Sequence, residues 1–115
     1  MTSLHDLAKR ALEFRNNRDW EQFHNPKDMA LSLVLEATEV LEHFQWKNGE
    51  ALALTVEKER SEIGAELADV LYWVLLLSKG IGIDIVEAFE AKMKSNEEKY
   101  PVEKARGKSS KYDEL

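Results

Sequence analysis

Between Pro26 and Lys47, apolar residues fall at Met29, Leu31, Leu33, Val34, Leu35, Val40, Leu41 and Phe44, nearly encircling a helix instead of striping one face of it. Such a helix has to be covered on several sides. A chain of 115 residues supports one core, so the cover comes from its own other helices and from a second copy. The rest of the sequence keeps the same helical period, with no alternating run that would suit a strand. A first helix is expected from near Ser3, with Leu4, Leu7, Ala8, Ala11, Leu12 and Phe14 as its stripe, fading at Asn16-Asn17. Asn25 and Pro26 are a cap and a first-turn residue for the second helix, which should run to about Lys47 before the connection at Asn48 to Glu50. The third helix is expected from near Thr55 to Lys79, stopped by Gly80. The fourth follows the capping box Asp84-x-x-Glu87 and ends at Tyr100-Pro101. The expected fold is all-α, of four-helix-bundle type, with a domain over residues 1–101 and a polar tail over 102–115, mobile or ordering on a ligand or partner.

Charge narrows the partners. The net charge of -6 disfavours a nucleic-acid polymer, which is bound by clustered Lys and Arg. It permits a small phosphate ligand when a divalent cation lies between acid and anion. With no cysteine, disulfides, zinc thiolates and thiol nucleophiles are excluded. The polar opening Met1-Thr2-Ser3 is unlike a signal peptide, and the longest apolar run, Val70 to Leu77, is far short of the roughly 20 residues of a membrane span. A cytoplasmic protein with no membrane partner is the expectation.

Carboxylates interrupt the two most apolar helices. Glu36 and Glu39 lie within Leu33-Val34-Leu35-Glu36-Ala37-Thr38-Glu39-Val40-Leu41, and Glu66 and Asp69 directly precede Val70 to Leu77. A three-residue step is about 300° around a helix and about 4.5 Å along it, so each pair shares a face. The intervening residues, Val40 to Ala65, suffice for an antiparallel return that sets the pairs opposite each other. Four acids buried together require protons or cations, and Mg²⁺ takes oxygen ligands. The same spacing also suits solvated helix faces, as read for Glu57, Glu59 and Glu62, with Glu62 a weaker candidate to support the site. A carboxylate-bridged iron centre would use Glu-x-x-His steps. The only nearby histidine is His43, four residues after Glu39, read as a surface residue.

Longer stretches carry a resemblance. Phe14-Arg15 through Arg18-Asp19-Trp20-Glu21-Gln22-Phe23-His24-Asn25-Pro26, Glu36-x-x-Glu39, Phe44-Gln45-Trp46-Lys47, Glu66-x-x-Asp69, Lys92-Met93, Asn96, Tyr100-Pro101 and Lys108-Ser109-Ser110-Lys111-Tyr112 follow in order along nearly the whole chain. In these it resembles the all-α NTP pyrophosphatase superfamily, the MazG-like group, and looks closest to the dCTP pyrophosphatase branch.

That resemblance implies a bundle completed as a homodimer or as a homotetramer built from two dimers. It implies Mg²⁺, with Mn²⁺ as a substitute, held by Glu36, Glu39, Glu66 and Asp69. It also implies water attack at the α-phosphate of a nucleoside triphosphate, with Glu36 or Glu39 as the catalytic carboxylate and pyrophosphate leaving. Trp20 and Trp46 match positions lining the base pocket, and Trp73 stands where relatives often carry Tyr. His24 is expected to touch substrate or to fix its loop, and Lys92 and Asn96 to contact phosphate and sugar, with Lys99 held more loosely. Ala11 replaces a polar residue near the base, and Leu35 and Thr38 replace glycines beside the first acidic pair, so the preferred base is left open while catalysis is retained. The alternative from another class is a non-catalytic helical oligomerisation module.

Overall fold

The computed structural model describes residues 1–115 as helices joined by short turns, without strands. The chain divides into two compact units, Met1–Gly82 and Ile83–Leu115. The first holds α1 (Leu4–Asn17), α2 (Pro26–Glu42), α3 (Glu50–Lys58) and α4 (Arg60–Gly80); the second holds α5 (Ile85–Lys99) and a one-turn α6 (Val102–Ala105).

Local chemistry sets the starts. Ser3 Oγ accepts from the Asp6 amide while the Asp6 carboxylate accepts from the Ser3 amide, so α1 opens on a closed capping box. Asn25 Oδ1 accepts from the Asp28 amide at 2.9 Å, and Pro26 follows as the first residue of α2. Asp84 Oδ1 accepts from the amides of Val86 and Glu87 at the start of α5.

Two of the expected boundaries are corrected. α2 ends at Glu42, not near Lys47, because the following turn brings Trp46 to φ +68°, a left-handed conformation that cannot continue the helix. The expected third helix is two helices. α3 begins at Glu50, after Gly49 turns the chain at φ +53°, and a break at Glu59 (φ -108°, ψ 17°) separates α3 from α4. At that break the Glu59 side chain reaches His43 and Lys47, on the turn after α2.

α2 and α1 both pack on α4, and α3 also lies against it. Met29 approaches Gly80 while His43, the residue that caps the far end of α2, meets Glu66, earlier in α4; the two helices therefore run antiparallel. A Cβ at Gly80 would stand 2.8 Å from Met29 Cε, so glycine permits the close approach at this end. Ala11, Met29 and Leu76 form the buried centre, with Leu12, Tyr72, Trp73 and Leu77 around it. That core is small: the fully buried apolar residues are Ala8, Ala11, Met29, Leu75 and Leu76. By contrast, Leu31, Val34, Leu35 and Leu41 on α2 are each more than half exposed. Thr38 lies in the same stripe, its hydroxyl satisfied by the Val34 carbonyl at 2.9 Å.

In the second unit the residues after Pro101 fold back onto their own helix. Tyr112 meets the Tyr100 ring edge-on at 6.2 Å, and the Lys99 ammonium lies 4.8 Å from the centre of the Tyr112 ring. No helix is long and apolar enough to cross a membrane.

Candidate active site

The antiparallel return of α4 along α2 brings Glu66 and Asp69, with Glu39 on α2 itself, within electrostatic reach of Glu36. Glu36 lies deepest. Its Oε2 is buried and has no hydrogen-bond partner, an arrangement that costs free energy unless a proton or cation completes it. Its carboxyl pKa stands above the ordinary value of 4.5; burial is the first cause, followed by the adjacent Glu39 side chain and then the charges of Asp69 and Glu66. A raised folded-state pKa contributes stability that is complete below pH 4.5 and is lost as pH rises through the displaced value. Glu36→Gln is therefore expected to raise the melting temperature of the cation-free protein near pH 7 by roughly 2–4 °C, a large share of what one favourable substitution gives. The gain should shrink towards pH 4.5. Melting curves in a chelator across that range test it, and a destabilised variant at pH 7 would remove the argument for repulsion.

His43 corrects the sequence reading. It is not a surface residue: its side chain is only 10% exposed and lies between two carboxylates. Nε2 hydrogen-bonds Glu66 Oε2, and Nδ1 lies 3.4 Å from Glu59 Oε1. Lys47 Nζ is 3.6 Å from Glu59 Oε2 and donates to the His43 carbonyl at 2.9 Å. Burial opposes the imidazolium most, yet Glu66 and Glu59 overcome it and leave the His43 pKa above its ordinary value. The partners come from Glu59 and from α4, beyond the next turn of chain, so no local pattern marks them; the one signal was that His43 follows Glu39 at a four-residue step.

The aromatic residues divide. Trp73 packs into the core and meets the His24 ring edge-on at 5.2 Å. His24 Nδ1 is buried without a partner, and burial, then the Arg15 charge, lowers the His24 pKa, so the ring is neutral near pH 7. Trp20 meets Phe14 edge-on at 5.7 Å, and Phe14 in turn meets Tyr72 at 6.1 Å. Trp46 is 90% exposed and is not brought to these residues within its own chain. Asp69 lies on the wall of an apolar recess of about 540 Å³ between α1 and α4, with Ala11, Phe14, Leu71 and Tyr72 also lining it. Sequence reasoning missed Phe14 and Tyr72 in this role, because on a helical stripe they are indistinguishable from core. Lys92, exposed, and Asn96, half-buried, belong to α5 in the second unit.

The model of the MazG-like family matches residues 31–115, which include both acidic pairs. The chain belongs to that family. It is 38% identical to dCTP pyrophosphatase 1 of Mus musculus and 40% identical to that of Homo sapiens, each over 98% of this chain and 68% of the relative. A crystal structure of a pyrophosphatase from Archaeoglobus fulgidus superposes with a TM-score of 0.81 at 36% identity, covering 88% of this chain and 94% of that one. The all-α fold of this MazG-like chain is thus that of a known pyrophosphatase, and the chain is a nucleotide pyrophosphohydrolase.

Proposed function

We propose that this enzyme hydrolyses a deoxynucleoside triphosphate, with dCTP or a modified dCTP favoured, to the monophosphate and pyrophosphate. The observation that carries the reading is the buried, unpartnered Glu36 oxygen facing three further carboxylates. An all-oxygen donor set of four acids from two helices fits a hard divalent cation, Mg²⁺ with Mn²⁺ as substitute, and Glu36, Glu39, Glu66 and Asp69 would hold it. Bound there, the cation would supply neutralising charge for the triphosphate and acidify a water. Glu36 or Glu39, three residues apart on one face of α2, would take the proton of the attacking water. The water oxygen bonds to the α-phosphorus as the bond to the α,β-bridging oxygen breaks, and pyrophosphate departs.

The recess beside Asp69 has a volume typical of small-molecule sites and would take the base and sugar, with Trp20 beside it through Phe14; Trp46, exposed and away from the recess in its own chain, would offer a stacking plane from a second copy, and His24 and Trp73, in contact with each other, are the remaining substrate candidates. Lys92 and Asn96, on α5, are the candidates for phosphate and sugar contact that the family resemblance gives. Residues 1–101 form the catalytic domain and 102–115 the tail, and the enzyme acts in the cytoplasm. The working species is a homodimer or homotetramer, a reading supported by the apolar stripe of Leu31, Val34, Leu35 and Leu41 on α2, each more than half exposed in the single chain.

Incubation with dCTP and Mg²⁺ tests the reading: dCMP and pyrophosphate in equal amounts are expected. Orthophosphate with dCDP would show that a different bond is cut, and absence of turnover on every triphosphate would leave a helical assembly module instead.

A further inference from the structure

We propose that His43 is a positioning residue that holds Glu66 to the cation through one oxygen only, a role that rests on the cation reading of the four acids. Its Nε2 engages Glu66 Oε2, so that oxygen is taken and Oε1 alone is left for the cluster. The ring cannot swing away, because Nδ1 faces Glu59 Oε1 at 3.4 Å and the ring is nine-tenths buried. Glu59 is fixed in turn by Lys47, whose ammonium also ties down the His43 carbonyl. The chain Lys47–Glu59–His43–Glu66 therefore runs from the turn after α2, across the α3–α4 break, to the acidic cluster.

The group His43, Glu59 and Glu62 also has ligand atoms within 4.8 Å of one another, which invites a second cation site. The geometry argues against it. Nε2 is in hydrogen-bond contact with Glu66 Oε2, which leaves no room for an ion between them, and Nδ1 already faces Glu59 Oε1 at 3.4 Å. The Lys47 ammonium occupies the other oxygen of Glu59. His43 is a clamp, then, not a ligand. Hydrogen-bonded partners of ligating carboxylates fix their orientation, and losing one typically costs 10–100-fold in metal affinity. A carboxylate held to one oxygen also suits the compact octahedral shell of Mg²⁺ or Mn²⁺ better than the larger, often bidentate shell of Ca²⁺.

The test is direct binding of Mn²⁺ to the full chain without nucleotide, followed by the electron paramagnetic resonance of free Mn²⁺, with Ca²⁺ affinity measured by calorimetry. His43→Leu is expected to weaken Mn²⁺ binding about 10–100-fold and to weaken Ca²⁺ binding less. His43→Gln, which keeps a donor near the Nε2 position, should recover Mn²⁺ affinity to within about threefold of the parent. Should the leucine variant lose its helical circular-dichroism signal, His43→Phe replaces it with the same expected result. Mn²⁺ binding as tight as the parent's in the leucine or phenylalanine variant overturns the clamp, and so does a glutamine variant no better than they are. Glu66→Gln separates the two levels. If it binds Mn²⁺ normally, the cation reading itself fails; if it binds poorly while His43→Leu binds normally, only the clamp does.

Discussion

Glu39→Gln and Asp69→Asn are each expected to lower dCTP turnover with Mg²⁺ at least about 10³-fold, equivalent to roughly 4 kcal/mol of transition-state stabilisation. Each exchange keeps side-chain size and removes one charge from a cluster in which carboxylates already repel one another. The folded state should therefore survive, and its helical circular-dichroism signal should match the parent's. The two substitutions sit on different helices, α2 and α4, and approach the cluster from opposite walls. Comparable losses from both would mean that the helices act as one site. Parent-like kcat in either variant would remove that residue from the chemistry.

The second large effect concerns assembly. Leu31, Val34, Leu35 and Leu41 are 54–59% exposed on one side of α2, and a fully buried side chain of this kind contributes about 1.5–3 kcal/mol. Val34→Asp combined with Leu35→Asp would place two charges in the middle of that surface, where burial without partners costs several kcal/mol per ion. Light scattering should then give a single chain of 13.3 kDa in place of two or four. Turnover should fall about 100-fold or more, because α2 also carries Glu36 and Glu39. The measurement that counts against this is a parent protein already monomeric at micromolar concentration, or a monomeric variant with full turnover.

How much of this was legible from residues alone depended on where the determining partner lies. The openings of α1 and α2 were readable because their caps act within three residues: Ser3 with Asp6, Asn25 with Asp28. The acidic pairs were readable for the same reason, each being a three-residue step on one helix, and the antiparallel return needed only the length of the connection. The end of α2 was not, since it turns on the left-handed Trp46, and Trp is no usual signal for that conformation. Nor was the Glu59 break, at which Glu59 meets residues from the preceding turn. His43 shows the limit most clearly. Its ring contacts Glu66, twenty-three residues away, so its identity as a buried clamp exists only once α2 and α4 have met. In the tail, the contact of Tyr112 with Tyr100 joins residues twelve apart and carries no local signal either.

That α2 is committed on three faces has an evolutionary cost. Its 17 residues divide between a face that carries Glu36 and Glu39, a face that packs Met29 into the core, and the apolar stripe from Leu31 to Leu41. Few of its positions answer to solvent alone. Random drift on α2 is accordingly confined: a change that loosens the assembly is felt by the chemistry, and one that retunes the chemistry is felt by the fold. In the proposed site, divergence toward new nucleotides has a freer path through α1, where the exposed Phe14 lines the recess without belonging to the acidic cluster or the buried centre.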